Sequence, residues 1–239
     1  MKETNPKISI VIPTYNEEKS IEGSIKTVEQ YLRDSGFDYE IIISDDGSID
    51  KTLDAVRKIM VGNEKIKLVA NEHKGKGGAV RAGILQSSGN LVLFTDADLS
   101  TPIEEFEKLK KALDEGYDIA IASRDLPGSK ILKHQSWYRE LLGKLLNRII
   151  QLLYLRGFAD TQCGFKVFKG EVAKKLFNTQ KIDGFLFDVE VLSLARKFGY
   201  RIAEVPVCWY HKEMSRVSIF KHLPQIVFDF LRIKFLVSR

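Results

Sequence analysis

The chain has 239 residues, 44% hydrophobic and 29% charged, which is a globular composition and excludes a disordered or collagen-like polymer. Two cysteines, Cys163 and Cys208, are too few for a disulfide framework or a four-thiolate zinc site, so a reducing, cytoplasmic setting is expected. The net charge of +5 is unevenly spread: residues 1–125 hold 17 Lys and Arg against 23 Asp and Glu (−6), and residues 126–239 hold 20 against 9 (+11). A basic half suits an anionic partner: nucleic acid, an anionic membrane surface or a phosphorylated ligand.

In chain order, Ile8–Ile12 reads as a strand too short for a signal core, so no secretory leader is expected. A helix over 20–34 follows, with Ser20 as its N-cap and Gly36 as its stop. Strand Tyr39–Ser44 runs into Asp45-Asp46-Gly47-Ser48, and Asp50 caps a helix to about Val61. Strand Ile66–Ala70, a helix from Gly77 to Ser87, and strand Leu91–Thr95 come next, the last running into Asp96-Ala97-Asp98. Thr101-Pro102 starts a helix, and Asp118–Ser123 is a fifth strand. In the second half, helices are expected over 134–156, Phe185–Phe198 and 219–237, with strands at Phe165–Phe168 and Arg201–Tyr210. No helix is long and uncharged enough to span a bilayer, and no linker divides the halves, so a single domain over 1–239 is expected.

Apolar strands alternating with helices give a parallel sheet covered on both faces, with ligands at the carboxyl ends of the strands. Polar residues collect there: Pro13–Glu17, Asp45–Ser48, Asp96–Ser100 and Arg124. Two carboxylates spaced like Asp96 and Asp98 can hold a hard divalent cation, or serve only as a solvated loop and helix cap. Asp45 and Asp46 can bond a base or ribose, or only shape a turn. Gly75-Lys76-Gly77-Gly78 lacks the order of a P-loop; it either admits an anion, with Lys76 beside it, or packs a helix closely on the sheet. Cys163 reads as a packed small residue. Asp188 and Glu190, two apart on a helix, face different sides: Asp188 orients a sugar or a basic partner, and Glu190 is a surface charge. The leucine stripe of 141–153, lined by Arg139, Lys144, Arg148 and Arg156, fits either core or a lipid site. The four histidines show no metal-ligand spacing.

The ordered motifs are P-T-Y-N-E (13–17), D-D-G-S (45–48), G-K-G-G-A-V-R-A-G (75–83), D-A-D-L-S-T-P (96–102), S-R-D (123–125), D-T-Q-C-G-F-K-V-F (160–168), F-D-V-E (187–190) and A-E-V-P-V-C-W (203–209). Together they resemble a family 2 glycosyltransferase, and within it the polyprenyl-phosphate sugar synthases of the dolichyl-phosphate β-glucosyltransferase type. The likeness runs from about residue 7 to 237. The G-K-G-G-A and D-T-Q-C-G-F-K segments mark the glucosyl-type branch.

The resemblance implies an α/β, GT-A, Rossmann-like three-layer sandwich with a mostly parallel sheet and a basic, amphipathic C-terminal helical part. It implies a nucleotide-diphosphate sugar as donor, Mg2+ or Mn2+ held at Asp96 and Asp98, and transfer with inversion to a polyprenyl or dolichyl phosphate. Carried over by position, Pro13, Tyr15 and Glu17 contact the nucleotide, and Asp45, Asp46 and Lys76 join them. Asp98 is the direct metal ligand; Arg124 faces diphosphate or acceptor, and Arg139 the lipid phosphate; Asp160 and Gln162 lie near the sugar. Arg216 and Ser218 match a loop near the phosphates, although M-S-R-V-S replaces the glycine-serine-lysine form of the family. The expectation is a hexosyltransferase moving glucose from UDP-glucose, bound peripherally to the cytosolic face of a membrane, with a homodimer left open. A GDP-mannose donor is the near alternative. A basic nucleic-acid-binding protein is the rival of another class, disfavoured because the basic half carries no nucleic-acid motif.

Overall fold

The structure, a computed structural model, describes residues 6–133, 137–210 and 219–238. The first half alternates β1 (Ile8–Thr14), α1 (Ile21–Asp34), β2 (Tyr39–Asp45), α2 (Thr52–Met60), β3 (Ile66–Ala70), α3 (Lys76–Gln86), β4 (Leu91–Thr95), a 3-10 turn at Ile103–Glu105, α4 (Phe106–Asp114) and β5 (Ile119–Ser123). The second half adds β6 (Lys130–Lys133), α5 (Trp137–Leu153), β7 (Phe165–Lys169), α6 (Gly170–Thr179), α7 (Phe187–Lys197), β8 (Ile202–Pro206), β9 (Cys208–Tyr210) and α8 (Ile219–Ser238).

Seven strands form one sheet in the order β3-β2-β1-β4-β7-β5-β8, and β6 pairs with β9 in a separate ribbon. The large sheet is parallel except for β7, which runs antiparallel between β4 and β5. Side chains alternate across the strands, so each face buries its own core. Ile8, Ile10 and Ile12 of β1 pack with α1, α2 and α4, while Val11 packs with α3, α6 and α7. Successive strands run outward from β1 to β2 and β3, then restart on its other side at β4. That reversal opens a crevice between the carboxyl ends of β1 and β4, where such sheets bind ligands.

Four local expectations change. The strand over 201–210 is two strands: Ile202–Pro206 pairs with β5, and the chain then leaves the sheet to pair Cys208–Tyr210 with β6. Pro206 offers no N–H to continue the ladder. Helix α6 has no separate signal because it starts at the end of β7 without a linking turn; Val172, Ala173, Leu176 and Phe177 are its buried face. The Ser20 hydroxyl donates to the Glu17 carboxylate and makes no side-chain cap on α1. Glu190 is not a surface charge.

Glu190 is 1% exposed and accepts the backbone N–H groups of Lys181 and Ile182, at 2.8 to 3.1 Å. Burial raises its carboxyl pKa, and those two N–H groups work against the rise. The side chain thus ties α7 to the 180–186 segment that faces the start of α3. Glu190→Ala strands two donors, each costing about 1–3 kcal/mol when buried and unpaired. Urea unfolding is expected to show that loss, with Glu190→Gln, which keeps an acceptor, losing less.

Candidate active site

The acidic loops meet at the β1–β4 crevice. Asp46 is buried, and its carboxylate accepts the N–H groups of Lys74 and Gly75 at 2.8 to 3.1 Å and lies 2.9 Å from His73 Nδ1. The Tyr15 ring stacks on His73 with centroids 4.4 Å apart, giving a half-exposed aromatic pair beside Asp46. Asp45 turns inward: it accepts the Ser48 N–H at 2.8 Å, the Ser48 hydroxyl at 2.5 Å and the Thr14 hydroxyl at 3.3 Å. Asp45 therefore shapes the turn, while Asp46 joins two loops. Pro13 is buried within β1, and the Glu17 N–H donates to Thr52 Oγ1 at 2.7 Å.

Asp96 and Asp98 follow β4 directly. The Lys76 ammonium lies 2.5 Å from Asp96 Oδ1, with the two side chains 27% and 34% exposed. Burial opposes the charge on Lys76, but Asp96, Asp188 and Asp98 together hold its pKa above the usual lysine value. Asp98 receives the Ser100 N–H and hydroxyl, each at 2.8 Å. Burial pushes the Asp98 carboxyl up, Asp96 adds to this, and Ser100 and Lys76 oppose it. Among the described residues no third His, Cys, Asp or Glu completes a cluster that could hold a metal ion. The donor set still fits Mg2+ or Mn2+: two hard carboxylates, with the remaining positions left to phosphate oxygens and water. Close packing accounts for the glycines at the start of α3: a Cβ on Gly77 would stand 2.6 Å from Phe187 Cβ and 2.8 Å from the Ile182 carbonyl. Lys76 reaches the site from that packed end.

On the other side of β7, Arg124 and Asp160 form a bidentate pair. Arg124 Nε donates to Asp160 Oδ2 at 2.6 Å, Nη2 to Oδ1 at 3.0 Å, and the Arg124 backbone N–H to Oδ2 at 3.1 Å. Burial raises the pKa of Asp160, but Arg124 outweighs it and holds the carboxyl below its ordinary value. The Gln162 N–H also donates to Asp160, at 3.1 Å, and the Trp209 ring lies 5.5 Å from the guanidinium carbon. Burial pushes the Cys163 thiol up to about 11, in keeping with a packed, unreactive residue. The Arg139 side chain, and Arg216 and Ser218 entirely, lie outside the described residues.

The sequence reading passed over Lys166, which is 1% exposed and lies 2.7 Å from Asp188. A signal existed: a lysine inside the apolar run F-K-V-F must take a buried partner. Of the two readings of Asp188, the basic partner is the one observed. His73 was missed because it pairs through space, not through spacing.

Breaking a buried ion pair by removing one partner costs about 3–5 kcal/mol, because the other charge stays buried. Arg124→Ala is expected to lose stability on that scale in denaturant unfolding at neutral pH. Because Asp160 titrates below its unfolded value, the stabilisation holds above the ordinary carboxylate range and disappears as pH falls through the lowered value. The wild type and the variant should therefore converge in stability only in strong acid.

Residues 9–177 match the model of glycosyl transferase family 2. The chain is 35% identical to the human dolichyl-phosphate beta-glucosyltransferase over 99% of its own length and 81% of the relative's. It is 36% identical to the Dictyostelium discoideum enzyme of the same name, over 97% and 75%. Among solved structures, a glucosyl-3-phosphoglycerate synthase from Mycobacterium tuberculosis, in complex with Mn2+, UDP-glucose and phosphoglyceric acid, superposes with a TM-score of 0.69. Its sequence is 22% identical, and the match covers 95% of this chain and 79% of that one. The mannosyl-3-phosphoglycerate synthase of Rubrobacter xylanophilus gives 0.68 at 17% identity, covering 95% and 72%. The crevice, its paired carboxylates and the inserted antiparallel β7 thus sit in a GT-A fold, and the chain belongs to glycosyltransferase family 2.

Proposed function

We propose that the protein moves glucose from UDP-glucose to a dolichyl or other polyprenyl phosphate, with inversion at the anomeric carbon. The observation that carries this reading is the likeness to dolichyl-phosphate beta-glucosyltransferases over almost the whole chain. Geometry supports it: both segments that mark the glucosyl-type branch meet Asp96, Lys76 by its ammonium and Gly164 by a carbonyl that takes the Asp96 N–H at 3.1 Å.

In this reading the Tyr15–His73 stack offers an aromatic face to the base, with Asp46 and Pro13 behind it. Asp96 and Asp98 would hold a divalent ion, which would supply neutralising charge to the departing diphosphate. Lys76 adds a second positive charge at the same place. Arg124, fixed by Asp160 and backed by Trp209, orients the acceptor phosphate, helped by Arg139, Arg216 and Ser218; Gln162 borders the sugar. A phosphate oxygen of the acceptor attacks the anomeric carbon from one face. The bond from that carbon to the diphosphate oxygen breaks on the other, UDP leaves with the bonding pair, and a phosphodiester remains. A phosphate monoester is largely dianionic near neutral pH, so no proton has to be removed; catalysis consists of positioning and charge stabilisation.

The acceptor places the site at a membrane surface. Ile149, Leu152 and Leu153 of α5 and Phe228, Leu231 and Phe235 of α8 are exposed. Tyr154, just past the end of α5, donates its hydroxyl to the Phe230 carbonyl of α8 at 2.6 Å. Arg148, Arg156, Arg232 and Lys234 are exposed among them. No helix among the described residues is long and apolar enough to cross a membrane. An apolar face mixed with cations suits peripheral binding to an anionic, cytosolic leaflet. Both cysteines are free, as a reducing compartment requires.

A donor screen with a polyprenyl phosphate acceptor tests the chemistry. UDP-glucose is expected to give an organic-extractable product that a chelator abolishes, and Asp98→Asn should cut turnover by at least about 100-fold. Product formed best from GDP-mannose, or full activity in EDTA, would overturn the donor or the metal. For the membrane, the triple variant Phe228→Ser, Leu231→Ser, Phe235→Ser should lose co-sedimentation with anionic liposomes while keeping its unfolding midpoint. Retained binding, or a dimer that the triple variant dissolves, would assign this face elsewhere.

A further inference from the structure

Beneath the crevice lies an ion pair that neither the fold nor the reaction just described employs. Lys166 on β7 and Asp188 on the first turn of α7 meet at 2.7 Å, with side chains 1% and 5% exposed. Burying two charges costs several kcal/mol per ion before any attraction returns it, and apolar residues of the same volume often stabilise as well or better. Stability is therefore a poor reason to keep this pair.

The contacts of the Lys166 ammonium show what it holds. It donates to Asp188 Oδ1, donates to the Cys163 carbonyl at 2.6 Å and lies 5.1 Å from the centre of the Phe94 ring. The Cys163–Gly164 turn so anchored is the seat of Asp96: the Gly164 carbonyl accepts the Asp96 N–H at 3.1 Å. A Cβ on Gly164 would collide with the Asp96 carboxylate, so the turn and the carboxylate are in direct contact. Strand pairing adds rigidity, with Phe94 opposite Lys166 and Thr95 opposite Phe165, which zips β4 to β7 up to the residue before Asp96. Asp188 faces the same place from α7: its charge acts on Lys76, and the charge of Asp96 acts on it.

We infer that the buried Lys166–Asp188 pair is a positioning device for the D-A-D segment, Lys166 locking the turn on which Asp96 rests and Asp188 fixing Lys166. The pair touches neither donor nor acceptor; it acts through Asp96. This rests on the donor-site reading above, and the wild type controls for that reading.

The test replaces the pair with apolar residues of similar volume, Lys166→Met with Asp188→Leu. The double variant is expected to unfold at or above the wild-type midpoint, yet to bind UDP in the presence of Mn2+ at least about tenfold more weakly by calorimetry. Its kcat/KM for the donor should fall by a similar factor. Asp188→Asn, which keeps an acceptor for Lys166, is the second variant, with a smaller loss in the same two readouts. A folded double variant with wild-type UDP affinity and kcat/KM overturns the inference. Unfolding of both variants also overturns it, since the pair would then serve the fold. Failure of the wild type itself to bind UDP with Mn2+ would count against the donor, not against the pair.

Discussion

Six carboxylates, Asp45, Asp46, Asp96, Asp98, Asp160 and Asp188, are drawn toward one region of the sheet, and like charges in a low-dielectric crevice repel. The site exists because each has a partner. Asp45 and Asp98 take a backbone N–H and a serine hydroxyl from their own loops, and Asp46 takes the N–H groups of Lys74 and Gly75 from the loop before α3. Asp96, Asp160 and Asp188 take the cations Lys76, Arg124 and Lys166. In two of these pairs the acid is closed off, Asp160 at 1% and Asp188 at 4% exposed, while the Arg124 side chain keeps 29% of its surface open. The Lys76–Asp96 pair alone among the three has both side chains more than a quarter exposed. One lysine set against Asp96 and Asp98 leaves negative charge in excess there, and burial with Asp96 nearby drives the Asp98 pKa upward. A divalent cation held by the two carboxylates, as proposed, would relieve that excess.

The acidic and basic halves divide the labour without dividing the sheet. Strands β7 and β8 of the second half complete the sheet begun by the first, and β7 lies between β4 and β5. That insertion separates the D-A-D at the end of β4 from Arg124 at the end of β5, and it delivers the 160–164 segment between them. Asp160 then serves Arg124 on one side while Gly164 serves Asp96 on the other. A single short loop thereby sets the spacing of the anionic and cationic parts of the site. Part of the second half's basic charge lies on α8 and on and just after α5, where Arg148, Arg156, Arg232 and Lys234 are exposed.

Much of this was legible in the chain. Apolar runs bounded by polar residues or Pro give each first-half strand to within about two residues, because a strand of a covered parallel sheet has little freedom to be polar. The D-A-D and D-D-G-S segments were placed at the ligand edge for the same reason. What was not legible depended on pairing through space. The reading of 201–210 as one strand failed because Val205 and Trp209 look alike by composition, although one pairs with β5 and the other with β6. Glu190 reads as a surface charge because a helix position alone does not show that two loop N–H groups wait opposite it. The G-K-G-G segment left packing and anion binding open; packing explains Gly77, while Lys76 beside it turns to Asp96, so adjacent residues serve different ends.

The arrangement of the acids also bears on the acceptor. An alcohol nucleophile needs a base, and a useful base has a pKa near the working pH and a free lone pair. Asp160 has neither advantage, since Arg124 lowers its pKa and occupies both of its oxygens. Asp188 is buried against Lys166, and Glu190 spends its oxygens on the N–H groups of Lys181 and Ile182. Asp98 has a raised pKa, but both oxygens receive hydrogen bonds from Ser100. A site whose carboxylates are all committed to holding cations and loops works best on a nucleophile that arrives already ionised. A phosphate monoester is such a nucleophile, and it calls for a fixed cation to aim it, not for a base to deprotonate it. A guanidinium held by two hydrogen bonds to a buried carboxylate and backed by an indole ring is a cation of that kind.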